Sequence, residues 1–559
     1  MSAASGYDYI IIGSGSAGSV LAHRLGAVAE NRILVLEAGG QDHWFDWKIH
    51  MPAAFAYPLA DDKVNWAYHT EPDPFMDNRR MYCPRGRVVG GSSSINGMVY
   101  IRGHARDYDR WAQAGLKGWS YAEVLPYFRR AESRDLGPND YHGGEGPLHV
   151  SRRHTPQPLF QAWVEAGKQA GYPMTDDLNG YQQEGLGPMD MTTWRGRRWS
   201  AAKAYLRPAI RRGNVELATR ALTTRILFEG RRAMGVEYLK AGRPMTARAR
   251  REVIVCGGTF NTPQLLMLSG IGPAAQLRAH GIAVRVDLPG VGSNLQDRYE
   301  IALTHRMRRP WRVLEGATFT SGDPLWQRWR ESRAGMYGSN GAALALIGKS
   351  APTKPEPDLF CMALLARFEG YRPGFSKMIG GPGEMLTWAI LKAHTENRAG
   401  SVRLQSADPL DVPLVNFRYF EEGSDTAAED LAAVVAGVRF VRGLTAPLIE
   451  SGLIAEELAP GPAVASDAQV ADYVRDTAWG HHASGTCAIG ADGDADAVLD
   501  SAFRVRGTQR LRVVDASVFP RIPGFFIASA VYMAAEKAAD AILADARATA
   551  HERAQPTPS

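Results

Sequence analysis

The chain has 559 residues, 45% of them hydrophobic and 22% charged, the proportions of a globular protein with enough core for two domains. Its formal net charge of +5 is small for that length, and its Lys and Arg residues lie scattered among Asp and Glu, so no nucleic-acid partner is expected. Cys83, Cys256, Cys361 and Cys487 show no Cys-x-x-Cys spacing, which argues against a disulfide framework and a zinc site alike; no metal ligands are assigned.

The first forty residues read as strand, tight turn, helix, strand. Tyr9–Ile12 and Ile33–Leu36 are uniformly apolar, as strands of a parallel sheet covered on both faces are, and Ser19–Leu25 between them has helical character. Met1–Tyr7 is too short and polar for a leader peptide, so the expected location is the cytoplasm. A stretch rich in Gly, Ser and Arg follows at Pro84–Gly103. Gly213–Tyr238 alternates like β-strands, and Glu252–Cys256 reads as a buried strand leading into a helix at Pro263–Leu268. From Tyr299 to Pro460, aromatics, prolines and short strands predict a mainly β unit without a cofactor motif. Leu511–Val514 returns to the buried-strand pattern, Ala530–Leu543 predicts a closing helix, and 546–559 predicts a disordered tail. No run of about 18 apolar residues predicts a spanning helix, which leaves peripheral contact with the inner face of a membrane open.

Gly13-Ser14-Gly15-Ser16-Ala17-Gly18 is a G-x-G-x-x-G motif with a strand before it, a helix after it, and an acid, Glu37, ending the next strand 19 residues past Gly18. Gly13 permits the turn, Gly15 lets a pyrophosphate approach the backbone, and Gly18 lets helix and strand pack closely. The helix N-terminus presents free N–H groups to phosphate, and Glu37, followed by Ala38, would bind a ribose and disfavour NADP. FAD and NAD both carry ADP, so this motif does not separate them.

Gly86-Arg87-Val88-Val89-Gly90-Gly91-Ser92-Ser93-Ser94-Ile95-Asn96-Gly97 resembles the first signature of the glucose–methanol–choline (GMC) oxidoreductases. Gly258–Leu266 with Ser269-Gly270-Ile271-Gly272 resembles the second. His482 with Gly485-Thr486-Cys487, and Val513–Ser517 with Ala535-Glu536-Lys537, are similar to the family's catalytic-histidine and C-terminal flavin segments. Met51–Ala54, Tyr100–Gly103 and Asn179–Gly185 resemble its choline dehydrogenase branch. The resemblance runs from about Tyr7 to Asp540.

That resemblance implies an α/β fold: a Rossmann-like FAD-binding domain, with a parallel sheet, helices and a β-meander, joined to an α+β substrate domain on an antiparallel sheet. The expected FAD-binding domain is 1–155, 195–298 and 465–545, and the substrate domain 156–194 and 299–464. FAD is the implied cofactor, with Gly90, Gly91, Ser92, Asn96 and Gly97 against flavin and pyrophosphate, Asn96 toward N5, and Asp515 with Ala516 near the ribityl chain. Members that attach FAD covalently carry His where this chain has Ile95, so dissociable FAD is expected. The implied reaction is oxidation of a primary alcohol to the aldehyde, hydride passing to flavin N5 and a quinone, another carrier or dioxygen accepting the electrons. Lyase or photodecarboxylase chemistry on the same fold, or flavin binding without turnover, are the alternatives.

Removing an alcohol proton near neutral pH calls for a base, and the motif singles out His482. His481 beside it is expected at the surface or behind the site. Two positions depart from the family: Ala483 follows the histidine in place of Pro, and Ala528 stands where a second polar residue, Asn or His, is usual. A methyl group cannot hydrogen-bond a hydroxyl, and Ser529 is the neighbouring candidate to replace it.

Overall fold

A computed structural model describes residues 6–152, 159–371 and 383–554. The strands Val215–Thr219, Ile33–Glu37, Tyr7–Ile12 and Arg243–Val255 lie side by side in that order, and Leu511–Val513 pairs with the far edge of the last. All these pairings are parallel, and every residue of Ile33–Glu37 is buried, which accounts for its unbroken apolar sequence. Arg243–Val255 is long enough for two roles. Its second half completes the parallel sheet, while its first half pairs antiparallel with Arg232–Lys240, and that strand with Ala221–Glu229, to make the meander.

Ile12 pairs with both Leu36 and Val255, and Val255 with Val513. These strands therefore end at one level. The residues that leave them, Gly13, Glu37, Cys256 and Asp515, come together along the carboxyl edge, where open α/β sheets place their ligands. Helix Ser16–Leu25 packs under the sheet against the closing helix Ala528–Ala554. That closing helix corrects the expected tail, because the chain is helical from Ala546 as far as Ala554; residues 555–559 lie outside the described part.

The second sheet is antiparallel throughout, in the order Ile454–Ala459, Glu300–Met307, Met385–Lys392, Leu359–Leu364, Ala342–Gly348, Gly185–Gly187. The sequence reading missed its main helix, Glu429–Glu450, which buries Leu431, Val434, Val438, Val441 and Leu444 in the core beneath this sheet. That helix is long and apolar enough to cross a membrane, but half of its apolar stretch is buried inside the protein. The expected segment 156–194 does not behave as one piece: Gly185–Gly187 joins the antiparallel sheet, whereas Asp190–Met191 pairs with Val99–Tyr100 and Ser151–Arg152.

Gly18 sits where helix and first strand touch, and a Cβ there would lie 2.0 Å from the Gly13 carbonyl oxygen. Gly18→Ala is expected to lower stability by about 1–3 kcal/mol, the usual cost of overpacking. Urea unfolding followed by tryptophan fluorescence would detect this, and an unchanged midpoint would show that the contact yields freely.

Candidate active site

Gly13 leaves the first strand with φ +99°, and a Cβ on it would lie 2.4 Å from the Cys256 carbonyl oxygen. Ser14 then reaches across to the second strand, its N–H and Oγ both donating to Glu37 Oε2 at 3.1 and 2.6 Å. Gly39 N–H donates to Oε1 at 2.8 Å, and Gly90 N–H donates to Ser14 Oγ at 3.4 Å. Burial pushes the Glu37 carboxyl up, and the hydrogen bonds from Ser14 and Gly39 work against that shift. One carboxylate thus ties together the phosphate turn, the end of the second strand and the Gly90–Gly91 turn. Gly91, at φ +54°, lies so close to the first motif that a Cβ would stand 2.7 Å from Gly15 Cα.

These turns enclose a cavity of about 470 Å³. Gly13, Gly15, Ser16, Ala17, Glu37, Ala38, Gly91, Ser92, Asn96, Gly97, Asp515 and Ala516 all line it, as do His482 and Ala528. Ser14, Gly18 and Gly90 do not; they shape it from behind. Asp515 also has contacts behind that wall. Its carboxylate accepts from Gly258 N–H at 2.9 Å, Thr262 Oγ at 2.6 Å and Ser517 N–H at 2.8 Å, so its oxygens cap protein turns.

The cavity wall fits a dinucleotide. Gly97 and Gly258 both face space in which a Cβ would meet nothing within 4 Å, so bare backbone borders the cavity there. Helix Ser16–Leu25 has no side-chain cap at its N-terminus, leaving its first N–H groups for phosphate. Asn96 is oriented by Arg198, a fully buried cation with no acidic partner among its hydrogen bonds, which donates to Asn96 Oδ1 at 2.8 Å. Met98 N–H donates to the same oxygen at 3.1 Å, so the amide nitrogen is the atom turned to the cavity. Nothing in the sequence marked Arg198; its role follows from its burial and its hydrogen bond to Asn96.

His482 is 6% exposed. Its backbone N–H donates to Asp297 Oδ1 at 2.7 Å. Gly480 permits this approach, since a Cβ there would lie 2.6 Å from Asp297 Cγ. The ring stands edge-on to Phe526 at 4.8 Å and beside His481 at 4.0 Å. Nδ1 is buried without a hydrogen-bond partner, so Nε2 is the nitrogen that reaches the cavity. Burial, then the neighbouring His481, Arg298 and Arg85, hold its pKa well below the ordinary 6.5.

His481 also lines the cavity, which corrects its expected place at the surface or behind the site. Its Nδ1 lies 2.9 Å from Glu300 Oε2, an oxygen that also accepts from Trp479 Nε1 at 3.1 Å. Ser529 does not replace the missing polar group, because its Oγ donates to the Ile101 carbonyl at 2.6 Å in the core. Asp297, Glu300 and Tyr371 also escaped the sequence reading. Asp297 and Glu300 lie in Gln296-Asp297-Arg298-Tyr299-Glu300, just before and at the start of the strand Glu300–Met307, and both are buried.

Comparison with known proteins places these features in context. Two family models described as GMC oxidoreductase match residues 7–300 and 396–535. An oxygen-dependent choline dehydrogenase of Paraburkholderia phymatum is 45% identical over 97% of this chain and 93% of its own. The mitochondrial choline dehydrogenase of Mus musculus is 44% identical over 96% and 89%. Among solved structures, a formate oxidase superposes with a TM-score of 0.88 at 27% identity, covering 98% of this chain and 100% of the other. A pyridoxine 4-oxidase superposes with 0.82 at 28%, covering 96% and 99%.

Glu37→Ala removes the acceptor expected to hold the ribose and unties Ser14. Binding of FAD should become roughly 10- to 150-fold weaker, the equivalent of about 1.5–3 kcal/mol for charged hydrogen bonds. Flavin fluorescence titration measures this, and unchanged affinity would remove Glu37 from the site.

Proposed function

This chain belongs to the GMC oxidoreductase family and is an FAD-dependent alcohol oxidoreductase, and from that premise we propose that His482 is the base that takes the hydroxyl proton. The observation that carries the reading is the buried imidazole on the wall of the glycine-lined cavity, with Nε2 as its accessible nitrogen. Bound flavin supplies the acceptor for the hydride leaving the alcohol carbon.

The protein's own part is to hold the ring, keep it neutral and exclude water. Asp297 fixes the His482 backbone, while Phe526 and His481 fix the ring plane. Burial and nearby cations disfavour the imidazolium, so the ring rests in its proton-accepting form. When it takes the proton, the new charge lies near the Asp297 carboxylate, whose Oδ2 is buried without a partner. With a methyl group at Ala528, the second contact to the hydroxyl falls to His481, whose Nδ1 lies 2.9 Å from Glu300 Oε2. The curated relatives are named for choline, and the bacterial ones as oxygen-dependent, which supports dioxygen among the electron acceptors.

FAD is held without a covalent bond. The buried side chain of Ile95 lines the cavity and offers no nucleophile. Acid precipitation is therefore expected to release the yellow colour into the supernatant; flavin kept by the washed, proteolysed pellet would contradict this.

His482→Ala is expected to lower the rate of flavin reduction about 10²- to 10⁴-fold while FAD stays bound. Anaerobic stopped-flow bleaching by alcohol reads this directly, and an untouched rate would remove His482 from the role. The pH dependence has a fixed sign. A histidine whose pKa lies below 6.5 stays neutral as the pH falls through that value, so kcat/KM holds level there and declines only at lower pH. An acid limb centred at or above 6.5 would assign the base to another group.

A further inference from the structure

We propose that the alcohol carries an uncharged apolar tail, and that this tail leaves the catalytic cavity between Phe55 and Phe368 to end in a second, adjoining cavity. The inference rests on the alcohol-oxidising reading above and names its substrate class.

A second cavity of about 100 Å³ abuts the first, and Phe55, Asn340, Leu364 and Phe368 line both. Its remaining wall is built mainly from apolar side chains, among them Leu314, Ala317, Phe319, Met336, Leu365 and Met385. The polar residues on it are already occupied. Asn340 donates from Nδ2 to the Gly97 carbonyl at 2.7 Å and accepts the Ala342 N–H at 3.0 Å. The Tyr337 hydroxyl donates to Asp323, and Arg367 donates to Glu369 at 2.7 Å. An apolar cavity of about 150 Å³ can stay dry and bind benzene, so one of this size and lining suits a short alkyl segment.

The catalytic cavity points the same way. Phe526 stands edge-on to His482, and Phe368, Leu364, Met362 and the Ala528 methyl line the same cavity together with the rings of Trp66, Tyr68 and Tyr371. A quaternary ammonium would need an available carboxylate or an open aromatic cage. Asp297 and Glu300, the acids behind His482, each keep one buried oxygen without a hydrogen-bond partner but do not reach the cavity wall among the described residues.

The FAD-loaded enzyme is tested anaerobically with straight-chain primary alcohols from ethanol to 1-octanol and with choline. Flavin reduction should show kcat/KM rising roughly fourfold per methylene as the chain enters the cavities, the factor equivalent to burying one CH₂, with choline well below 1-octanol. Ala317→Trp, which fills the second cavity alone, should move the optimum to shorter alcohols; its flavin content reports whether it folds, and the wild-type series stands without it. Choline reducing the flavin as well as 1-octanol does, or a series flat with chain length, would overturn the tail site and leave alcohol oxidation standing. The methyl ethers of the same alcohols have no oxidisable hydroxyl and separate the two ideas. Length-dependent perturbation of the flavin spectrum by the ethers, with no reduction by any alcohol, would uphold the tail site and overturn alcohol oxidation.

Discussion

Gly91 and Gly15 meet backbone to backbone, and the cofactor half of the molecule is arranged around that contact. The two residues come from turns 76 positions apart, and a single methyl on Gly91 would stand 2.7 Å from Gly15 Cα. Steric fit alone would not hold two such turns together, because glycine has no side chain with which to bind. The Glu37 carboxylate supplies that hold, taking hydrogen bonds from Ser14 and Gly39, while Ser14 Oγ in turn accepts the Gly90 N–H. The residue expected to bind the ribose is therefore also the residue that assembles the floor under it.

The catalytic end follows a different logic. His482 is neutral because it is buried among cations and beside another imidazole, so its chemistry is set by desolvation more than by any one hydrogen bond. Its position is set through the backbone: Asp297 grips the N–H of His482, and Gly480 allows that grip. Holding the main chain leaves both ring nitrogens outside the restraint, which suits the role proposed for His482.

Buried charges also pair with one another around Glu132 and Asp190. Glu132 lies between Arg102 and His142, and His142 between Glu132 and Asp177. Arg134 and Arg152 pair with Asp190 at 3.1 and 2.9 Å. His142, Asp177 and Asp190 converge closely enough to resemble a metal site, but guanidinium groups already stand against both carboxylates. Burial alone would lower the pKa of His142, and hydrogen bonds to Asp177 and Glu132 raise it instead. A network of this kind is costly to break at one member, since the partner charge is left desolvated.

The sequence by itself determined whatever depends on local backbone geometry: the parallel strands, the turn at Gly13–Gly18, the acid at Glu37, the glycine run at Gly90–Gly97 and the motif around His482. These were legible because a phosphate turn or a buried strand restricts residue type at consecutive positions. The Glu429–Glu450 helix was passed over because its surroundings read as β, and the helix that continues past Ala546 because small polar residues were read as a tail. Only the tertiary structure decided that Asp515 caps turns, that Ser529 faces the core, that Arg198 orients Asn96, and that His481 shares the cavity with Glu300 behind it. Each of those outcomes turns on where one side chain points among partners far away in the chain. Hydrogen-bond satisfaction in a desolvated interior is a property of the whole surroundings, and no local pattern encodes it.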